Sequence, residues 1–170
     1  ARARDMLGTG IEHIDRPLDD FWLRDSGPTF VLDDQGRLGA VDWIFNGWGG
    51  ADWTSVTHDR GLAAFIAGLV GAPVISSLLV NEGGGIHVDG QGTVLLTETV
   101  QLDPNRNPHA DKTRVEAEMT RCLGTEKAIW LPRGLARDYK EFGTRGHVDI
   151  VATFAEPGKI LLHHQPNPDH

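Results

Sequence analysis

Cysteine is almost absent from this sequence: Cys122 is the one thiol in 170 residues. A single cysteine excludes an intrachain disulfide and any zinc site built from several thiolates, and it favours a reducing compartment. Cys122 falls on the apolar stripe of a predicted helix, where a thiol is poorly ionised. We therefore expect Cys122 to pack in the core and not to act as a nucleophile.

Long apolar runs and an excess of positive charge are also lacking. No stretch approaches the roughly 20 apolar residues of a membrane-spanning helix, and residues 1–7 lack the apolar core of a signal peptide. We expect a cytoplasmic protein that binds no membrane. The 16 Lys and Arg residues against 24 Asp and Glu residues disfavour a nucleic-acid surface and favour a cationic small-molecule partner.

Glycine is plentiful, with 21 residues, and the turns that it marks divide the chain into a repeated pattern. Each repeat reads as a hairpin, a helix and a strand, and the hairpins open at Thr29, Ile86 and Val148. A period of about 60 residues suits supersecondary units around an axis better than a solenoid of short repeats. The sequence predicts an α/β (α+β) fold in one partial domain, 1–170, with units at 22–80, 81–131 and, incompletely, 146–170.

The ends of the two predicted helices carry recognisable signals. Thr57 and Asp59 are candidate capping residues for the first helix, and Gly71 with Pro73 would stop it. Gly124 can supply the left-handed residue that ends the second helix.

A polar segment stands directly before each hairpin, so the repeat also aligns candidate site residues. Equivalent ends of repeated units point to one region, and glycines there let a ligand approach the backbone. We expect four side chains to converge: Asp25, Glu82, His147 and Asp149.

His147 and Asp149 are the strongest candidates for chemistry among these residues. On a strand they would share one face, and a carboxylate beside an imidazole can orient it or hold a cationic substrate. The alternative is an ordinary polar surface strand. The segment His87-Val88-Asp89 has the same pattern and is expected to be structural. As an alternative, His87 and Asp89 with His147 and Asp149 could form a metal-dependent hydrolase site.

The segment Trp22–Pro28 offers an aromatic face and a carboxylate, which suits recognition of a planar guanidinium. The competing interpretation is a surface ion pair between Arg24 and Asp25. The glycines of 82–85 do not form a phosphate loop, because no lysine and no helix follows them.

Five segments together resemble the agmatine deiminase and bacterial peptidyl-arginine deiminase family. They are Trp22–Pro28, Val41–Gly50, Glu82–Gly90, Leu102–Pro108 and Gly146–Asp149. The resemblance implies a pentein-type propeller of five units around a central pocket, of which this chain would supply two and a half to three. It also implies conversion of agmatine and water to N-carbamoylputrescine and ammonia, a step of putrescine biosynthesis, without metal or organic cofactor.

The same resemblance implies roles for individual residues. His147 would be the general acid and base, Asp25 and Asp149 would bind the guanidinium, Glu82 would hold the site or substrate, and Trp22 would be a pocket wall. A cysteine thiolate from near the family's C-terminus would attack the guanidinium carbon, forming a thiouronium intermediate. We expect a fragment that lacks this cysteine, is inactive alone, and forms a homo-oligomer or pairs with the missing C-terminal part.

Substrate choice stays open at this stage. Arg145 precedes the Gly-His-x-Asp segment, where an inward-pointing cation would disfavour the amine tail of agmatine, so a peptidyl-arginine or another guanidine is an alternative. A non-catalytic guanidinium-binding module is a second alternative. The sequence assigns no role to the terminal histidines His163, His164 and His170.

Overall fold

The computed structural model describes residues 2–166, which form a mixed α/β fold with three separate sheets. In chain order the strands are β1 (Thr29–Leu32), β2 (Leu38–Ile44), β3 (Val74–Val80), β4 (Ile86–Val88), β5 (Thr93–Thr97), β6 (Lys127–Leu131), β7 (Ala152–Glu156) and β8 (Lys159–Leu162). The helices are α1 (Arg2–Leu7), α2 (Leu23–Ser26), α3 (Gly47–Gly50), α4 (Leu62–Leu69), α5 (Glu98–Gln101) and α6 (Lys112–Leu123). None of the helices in this described part combines the length and apolar character needed to span a membrane.

The first two sheets share one topology. β1 and β2 pair antiparallel and β3 joins β2 in parallel, after a connection that contains α4. β4, β5 and β6 repeat this arrangement, with α5 and α6 in the crossover. β7 and β8 form an antiparallel hairpin. The hairpin, helix and strand order predicted from the sequence is confirmed for both three-stranded sheets.

Helix α6 ends as its sequence predicts, and a side chain caps its start. The Asp111 side chain caps the start by accepting a hydrogen bond from the Arg114 backbone amide at 2.8 Å. Gly124 ends the helix in the left-handed region, with φ of 68°.

Helix α4 differs from the prediction at its start. Gly61 is the N-cap residue and no side chain caps the helix. The carboxylate of Asp59, a predicted cap, instead accepts the backbone amides of Asp19 and Asp20 at 3.0 and 3.1 Å. A long-range partner has therefore replaced the local one, and Asp59 ties the segment before α2 to this region.

The third hairpin begins later than predicted. Residues Val148–Ile150 form a 3₁₀ turn, closed by a hydrogen bond from the Val151 amide to the Val148 carbonyl, and β7 starts only at Ala152. His147 and Asp149 are therefore not on a strand. His163 and His164 follow β8 on the exposed surface, and His170 lies outside the described residues.

The main core lies between the first two sheets and α6. Its buried members are Val41, Trp43, Leu79, Ile86, Val94, Leu96, Val115, Met119 and Cys122. Cys122 is 3% exposed, and burial together with the Glu118 carboxylate raises the pKa of its thiol to about 11. The predicted packing role of Cys122 is confirmed.

Candidate active site

His147 is the centre of a buried cluster of ionisable side chains. Its Nε2 lies 3.0 Å from Oε2 of Glu82, and its Nδ1 lies 3.9 Å from Oδ1 of Asp25 and 3.9 Å from Oδ1 of Asp149. Glu82 is fully buried, whereas the Asp149 side chain is 37% exposed. The structure thus brings together the four side chains that the repeat predicted to converge.

The four members of the cluster come from the starts of three supersecondary units. Asp25 is in α2, directly before β1, and Glu82 stands between β3 and the glycine turn Gly83–Gly85. His147 precedes the turn Val148–Ile150 before β7, and Asp149 lies within it. α2 contacts the Gly83–Gly85 turn, and this turn contacts Val148–Ile150. The three unit starts therefore meet at one place.

Gly84 lies in the middle of the cluster. A Cβ atom on Gly84 would be 2.4 Å from His147 Nδ1, 2.9 Å from Asp149 Oδ2 and 2.9 Å from Asp25 Oδ1. The Gly84 amide also donates to Asp25 Oδ1 at 3.0 Å. Only glycine leaves the space between these three side chains open.

Asp138 holds the loop that carries His147. Its carboxylate accepts the Thr144 amide at 2.9 Å, the Thr144 hydroxyl at 2.6 Å, the Gly146 amide at 2.6 Å and the His147 amide at 3.3 Å. Asp138 was not predicted from the sequence. The sequence offered only a weak signal for it, an acidic residue a few positions before a glycine-containing segment. Many loops have this combination of residues.

Behind Glu82 lies Arg106, a second residue that sequence reasoning missed. Arg106 is 3% exposed; its Nε donates to Oε1 and Oε2 of Glu82 at 3.1 Å, and its Nη2 is 3.0 Å from Oε2. Its Nη1 donates to Asp103 Oδ2 at 2.8 Å. The available signal was a proline-bounded polar segment, 103–108, that had no assigned role.

The protonation of the cluster follows from these contacts. Burial alone would disfavour the imidazolium of His147, but the hydrogen bond to Glu82 and the charges of Glu82, Asp25 and Asp149 outweigh it and raise the pKa of His147. Burial would also favour neutral Glu82, yet His147 and Arg106 hold the pKa of this carboxyl below its usual value. Burial, with the charges of Asp25 and Asp138 adding to it, raises the pKa of Asp149.

An aromatic-walled cavity of about 560 Å³ opens onto His147, Asp25 and Asp149. Its aromatic lining consists of Phe21, Trp22, Trp48, Trp53 and Phe142. Trp22 is half exposed here, as expected for a wall that a ligand could cover. Depressions of about 660 and 820 Å³ lie elsewhere and have neither His147 nor its carboxylate partners in their linings.

Trp48 fixes Asp25 from the cavity side. Its indole Nε1 donates to Asp25 Oδ2 at 2.8 Å, while its ring stacks on Trp53 with centroids 4.9 Å apart. Trp48 has φ of 55° and ψ of 45°, a left-handed conformation that is costly for a residue with a Cβ. The glycines on both sides, in α3, allow this turn.

A model of the Porphyromonas-type peptidyl-arginine deiminase family matches the chain over residues 1–170. The chain belongs to this family. The membership predicted from five short segments is confirmed.

Individual relatives of this peptidyl-arginine deiminase family member carry the name agmatine deiminase. A protein of Streptomyces avermitilis provisionally named agmatine deiminase is 59% identical over 172 residues, covering 100% of this chain and 50% of the relative. A solved structure of another protein provisionally so named has 38% identity and a TM-score of 0.89, with 99% of this chain and 47% of the other covered. The agmatine deiminase of Enterococcus faecalis has 37% identity and a TM-score of 0.78 over 88% of this chain and 41% of its own. The chain spans about half the length of the curated relatives it matches.

Arg145, predicted to influence substrate choice, does not line the cavity of this family member. Its Nη1 lies 3.6 Å from Asp103 Oδ2, and the cavity lining formed by the described residues does not include it. The carboxylate of Asp103 attracts the guanidinium, and the positive φ of Arg145, 69°, turns the chain at this point. The Arg145 guanidinium is thus directed to the neighbouring ion pair of Asp103 and Arg106.

Two residues of the alternative metal site, His87 and Asp89, make hydrogen bonds to different neighbours outside the His147 cluster. Asp89 accepts the Gln91 and Thr93 amides within the β4–β5 turn, at 2.8 and 2.9 Å. His87 Nδ1 accepts the Phe154 amide at 3.4 Å, and its Nε2 lies 2.8 Å from the Thr153 hydroxyl. Within residues 2–166, no group of three or more His, Cys, Asp or Glu residues is arranged to hold a metal ion.

Proposed function

We propose that this chain forms the guanidinium-binding part of a deiminase that converts agmatine and water to N-carbamoylputrescine and ammonia. The proposal is supported above all by one observation: Asp25, Glu82 and Asp149 surround His147 at the end of an aromatic-walled cavity. Membership of a peptidyl-arginine deiminase family and the names of the relatives agree with it.

The cavity has the chemistry that a guanidinium ion requires. The ion is planar and positively charged, so it favours aromatic faces and carboxylate oxygens placed at its edge. In the proposal, Asp25 and Asp149 accept its N–H groups and Trp22 covers one face. The chain's formal charge of −8 adds a long-range attraction for a cation.

The proposed reaction splits the guanidine in two covalent steps. A thiolate forms a bond to the guanidinium carbon, and the carbon–nitrogen bond breaks as His147 gives a proton to the departing ammonia. His147 then takes a proton from water, whose oxygen adds to the thiouronium carbon. The carbon–sulfur bond breaks as the added hydroxyl loses its remaining proton to solvent or to the released ammonia. This returns the thiolate and leaves the neutral urea product, so no oxidant or reductant is needed.

We further propose that this thiolate comes from outside the 170 residues. Cys122 is the one cysteine of the sequence, and it lies in the core, where its raised pKa keeps it protonated. His147 faces a different cavity from the one that Cys122 borders.

Ammonia release by the complete protein tests the proposal directly. We expect agmatine to give ammonia and N-carbamoylputrescine, with turnover lost in His147→Gln and retained in Cys122→Ser. Tight binding of agmatine without any ammonia would favour the non-catalytic guanidinium-binding module. Turnover that depends on an added divalent metal ion would contradict the thiolate mechanism.

Peptidyl-arginine is the second candidate substrate, because the matching family model carries that description. We expect agmatine to be preferred, and we expect Arg145→Gln to change the ratio of kcat/KM for agmatine and a peptidyl-arginine by less than about twofold, since Arg145 is held at Asp103. A larger shift toward agmatine would place Arg145 in the substrate pocket.

The family fold is proposed to be a five-unit propeller, with each three-stranded sheet and its helix as one unit. The matching topology of the first two sheets supports units at 22–80 and 81–131, with a third opening at 146. A crystal structure of the complete protein with any other number of units would contradict this architecture.

A further inference from the structure

Arg106 is a buried cation shared by two carboxylates and one backbone carbonyl. Its side chain is fully buried, and it contacts Glu82 through Nε and Nη2 and Asp103 through Nη1. Nη2 also donates to the Thr144 carbonyl at 2.7 Å. These bonds leave the guanidinium little freedom to rotate, since its planar fork is held on both sides.

The bonds from Arg106 fix the carboxylate that contacts His147. Both oxygens of Glu82 accept from Arg106, and Oε2 is also the partner of His147 Nε2 at 3.0 Å. A carboxylate held beside a guanidinium stays ionised despite burial, and as an ion it can only accept hydrogen bonds. Nε2 of His147 therefore carries the hydrogen of this contact.

The other imidazole nitrogen is then the one that faces the open space. Nδ1 of His147 points toward Gly84 and lies 3.9 Å from both Asp25 and Asp149. Any proton exchange with a molecule in the cavity goes through Nδ1. The direction in which Nδ1 points depends on how firmly Glu82 holds Nε2 on the other side of the ring.

Arg106 also balances charge at the back of the site. Without it, Glu82 would be a buried anion whose nearest partner is the imidazole, and such an anion would hold an imidazolium proton very tightly. With it, the negative charge of Glu82 is divided between two cationic partners. Asp103 opposes Arg106 from the far side at 2.8 Å and limits this effect.

We propose that Arg106 is a positioning residue: it holds Glu82 behind His147 and balances the Glu82 charge, so that Nδ1 of His147 exchanges protons with the substrate. The substrate part of this proposal rests on the deiminase function proposed above. The part that concerns Glu82 and His147 does not.

Other charges act on His147 and must be held constant in a test. Asp25 and Asp149 face Nδ1, Glu82 faces Nε2, and Asp138 binds the His147 backbone amide. Arg24 acts on the neighbouring Asp149. A useful variant therefore changes Arg106 or its far-side partner and leaves these five groups intact.

The test is an NMR titration of the His147 ring in the complete protein labelled at histidine, with the signal assigned by its loss in His147→Gln. In Arg106→Gln we expect His147 to lose its proton at a higher pH than in the wild type. Arg106→Lys keeps a cation but not the fork, so its titration should stay closer to the wild type. Asp103→Asn leaves more of the Arg106 charge on Glu82 and should move the titration to lower pH.

Arg121 supplies a matched control at a distance from the site. It donates to the Glu118 carboxylate within α6 and to the Ser76 carbonyl of β3, both at 2.7 Å, so like Arg106 it joins a carboxylate to a backbone carbonyl, but its side chain is 46% exposed. We expect Arg121→Gln to reduce stability and leave the His147 titration unchanged. An unchanged titration in both Arg106→Gln and Asp103→Asn would overturn the proposal, and if Arg106→Gln does not fold, Asp103→Asn decides alone.

Kinetics separate the two proposals. If the complete protein is a deiminase, Arg106→Lys should lower kcat/KM on the order of tenfold, which is less than the roughly hundredfold or greater loss on removal of an acid–base group itself. If the protein releases no ammonia from any guanidine, the proposed function fails, while the titration still decides the role of Arg106.

Discussion

His147 and Glu82 are two ionisable residues that are almost wholly buried and in direct contact. Such groups are costly to bury unless each finds partners. Glu82 has Arg106 and His147, and His147 has Glu82 with two further carboxylates nearby. The cluster is therefore a satisfied network whose proton affinity is set by its charges, which is typical of functional sites.

The raised pKa of His147 has a defined consequence for stability. Burial opposes the imidazolium, but Glu82, Asp25 and Asp149 outweigh burial, so the folded state binds the proton more tightly than the unfolded chain. This contribution is fully present below the unfolded value of about 6.5 and is lost as pH rises through the folded pKa. The measurement is the free energy of unfolding, by denaturant, from pH 6 upward.

His147→Gln supplies the comparison for that measurement. The stability advantage of the wild type over this variant should shrink as pH rises. An advantage that stayed constant, or that grew with pH, would show that His147 is not stabilised as the imidazolium in the folded state.

Gly84 gives a second prediction for a single residue. In Gly84→Ala the new methyl group would lie between His147, Asp25 and Asp149, at distances of 2.4 to 2.9 Å, and would displace them or a ligand. We expect deiminase kcat/KM to fall by about a hundredfold or more, because displacements near 1 Å have such effects. Ammonia release and circular dichroism together separate this loss from unfolding.

The control for Gly84 is Gly68, an exposed glycine in α4 where an added methyl group would have no atom within 4 Å. Gly68→Ala should stabilise the fold by about 0.5–1 kcal/mol and leave turnover unchanged. Wild-type turnover in folded Gly84→Ala would show that the three side chains do not act around this glycine.

Among the secondary-structure elements, the left-handed turn α3 is the one with evident backbone strain. Trp48 lies at its centre with positive φ, between glycines, and is 2% exposed. A strained backbone conformation persists only where contacts with the surrounding structure hold it in place. Such conformations are concentrated at functional sites. Here the turn directs the indole N–H at Asp25, so the element serves the site as well as the packing around it.

Trp48→Phe tests this role of the turn. Phenylalanine keeps most of the aromatic contact with Trp53 but removes the donor to Asp25. A hydrogen bond to a charged group contributes about 1.5–3 kcal/mol, so we expect kcat/KM for a guanidine to fall about tenfold or more.

Trp43→Phe is the matched control for that variant. Trp43 is also buried, and its indole donates to the Thr29 hydroxyl at 2.9 Å within the first sheet. Its replacement should cost about 1 kcal/mol of stability and leave kcat/KM unchanged. Equal kinetic effects of the two substitutions would remove the argument for α3.

At the scale of the whole molecule, the 170 residues bring together the proposed guanidinium-binding site without an accessible thiol. We expect the chain expressed alone to bind agmatine and release no ammonia, because Cys122 is buried and its thiol pKa is about 11. Calorimetry and an ammonia assay on the same sample measure both properties. Ammonia release that disappears in Cys122→Ser would identify Cys122 as a nucleophile and contradict the core assignment.

Apolar surface favours association of the chain when it is expressed alone. Large exposed side chains occur on β8 and in the segment before α2, including Leu161, Leu162, Ile14 and Leu18. Surfaces of this kind tend to be covered by another chain or by more of the same one. Sedimentation of the isolated chain should therefore show self-association, which a fully monomeric sample would contradict.

The sequence by itself determined the repeated elements and four of the residues that form the site. Hairpins and helices were predictable because turn residues and apolar periodicity act over a few positions. The convergence of Asp25, Glu82, His147 and Asp149 was predictable because repeated units place equivalent ends together. The sequence also indicated that Cys122 belongs to the core.

Only the tertiary structure decided how these residues are held. Arg106 reaches Glu82 and Thr144, Asp59 reaches Asp19 and Asp20, and Trp48 reaches Asp25, all across separations of more than 20 residues. Local patterns carry no information about such pairs, because the partner is chosen by packing and by the need to satisfy buried charge. For the same reason Arg145 turns to Asp103 and not to the cavity.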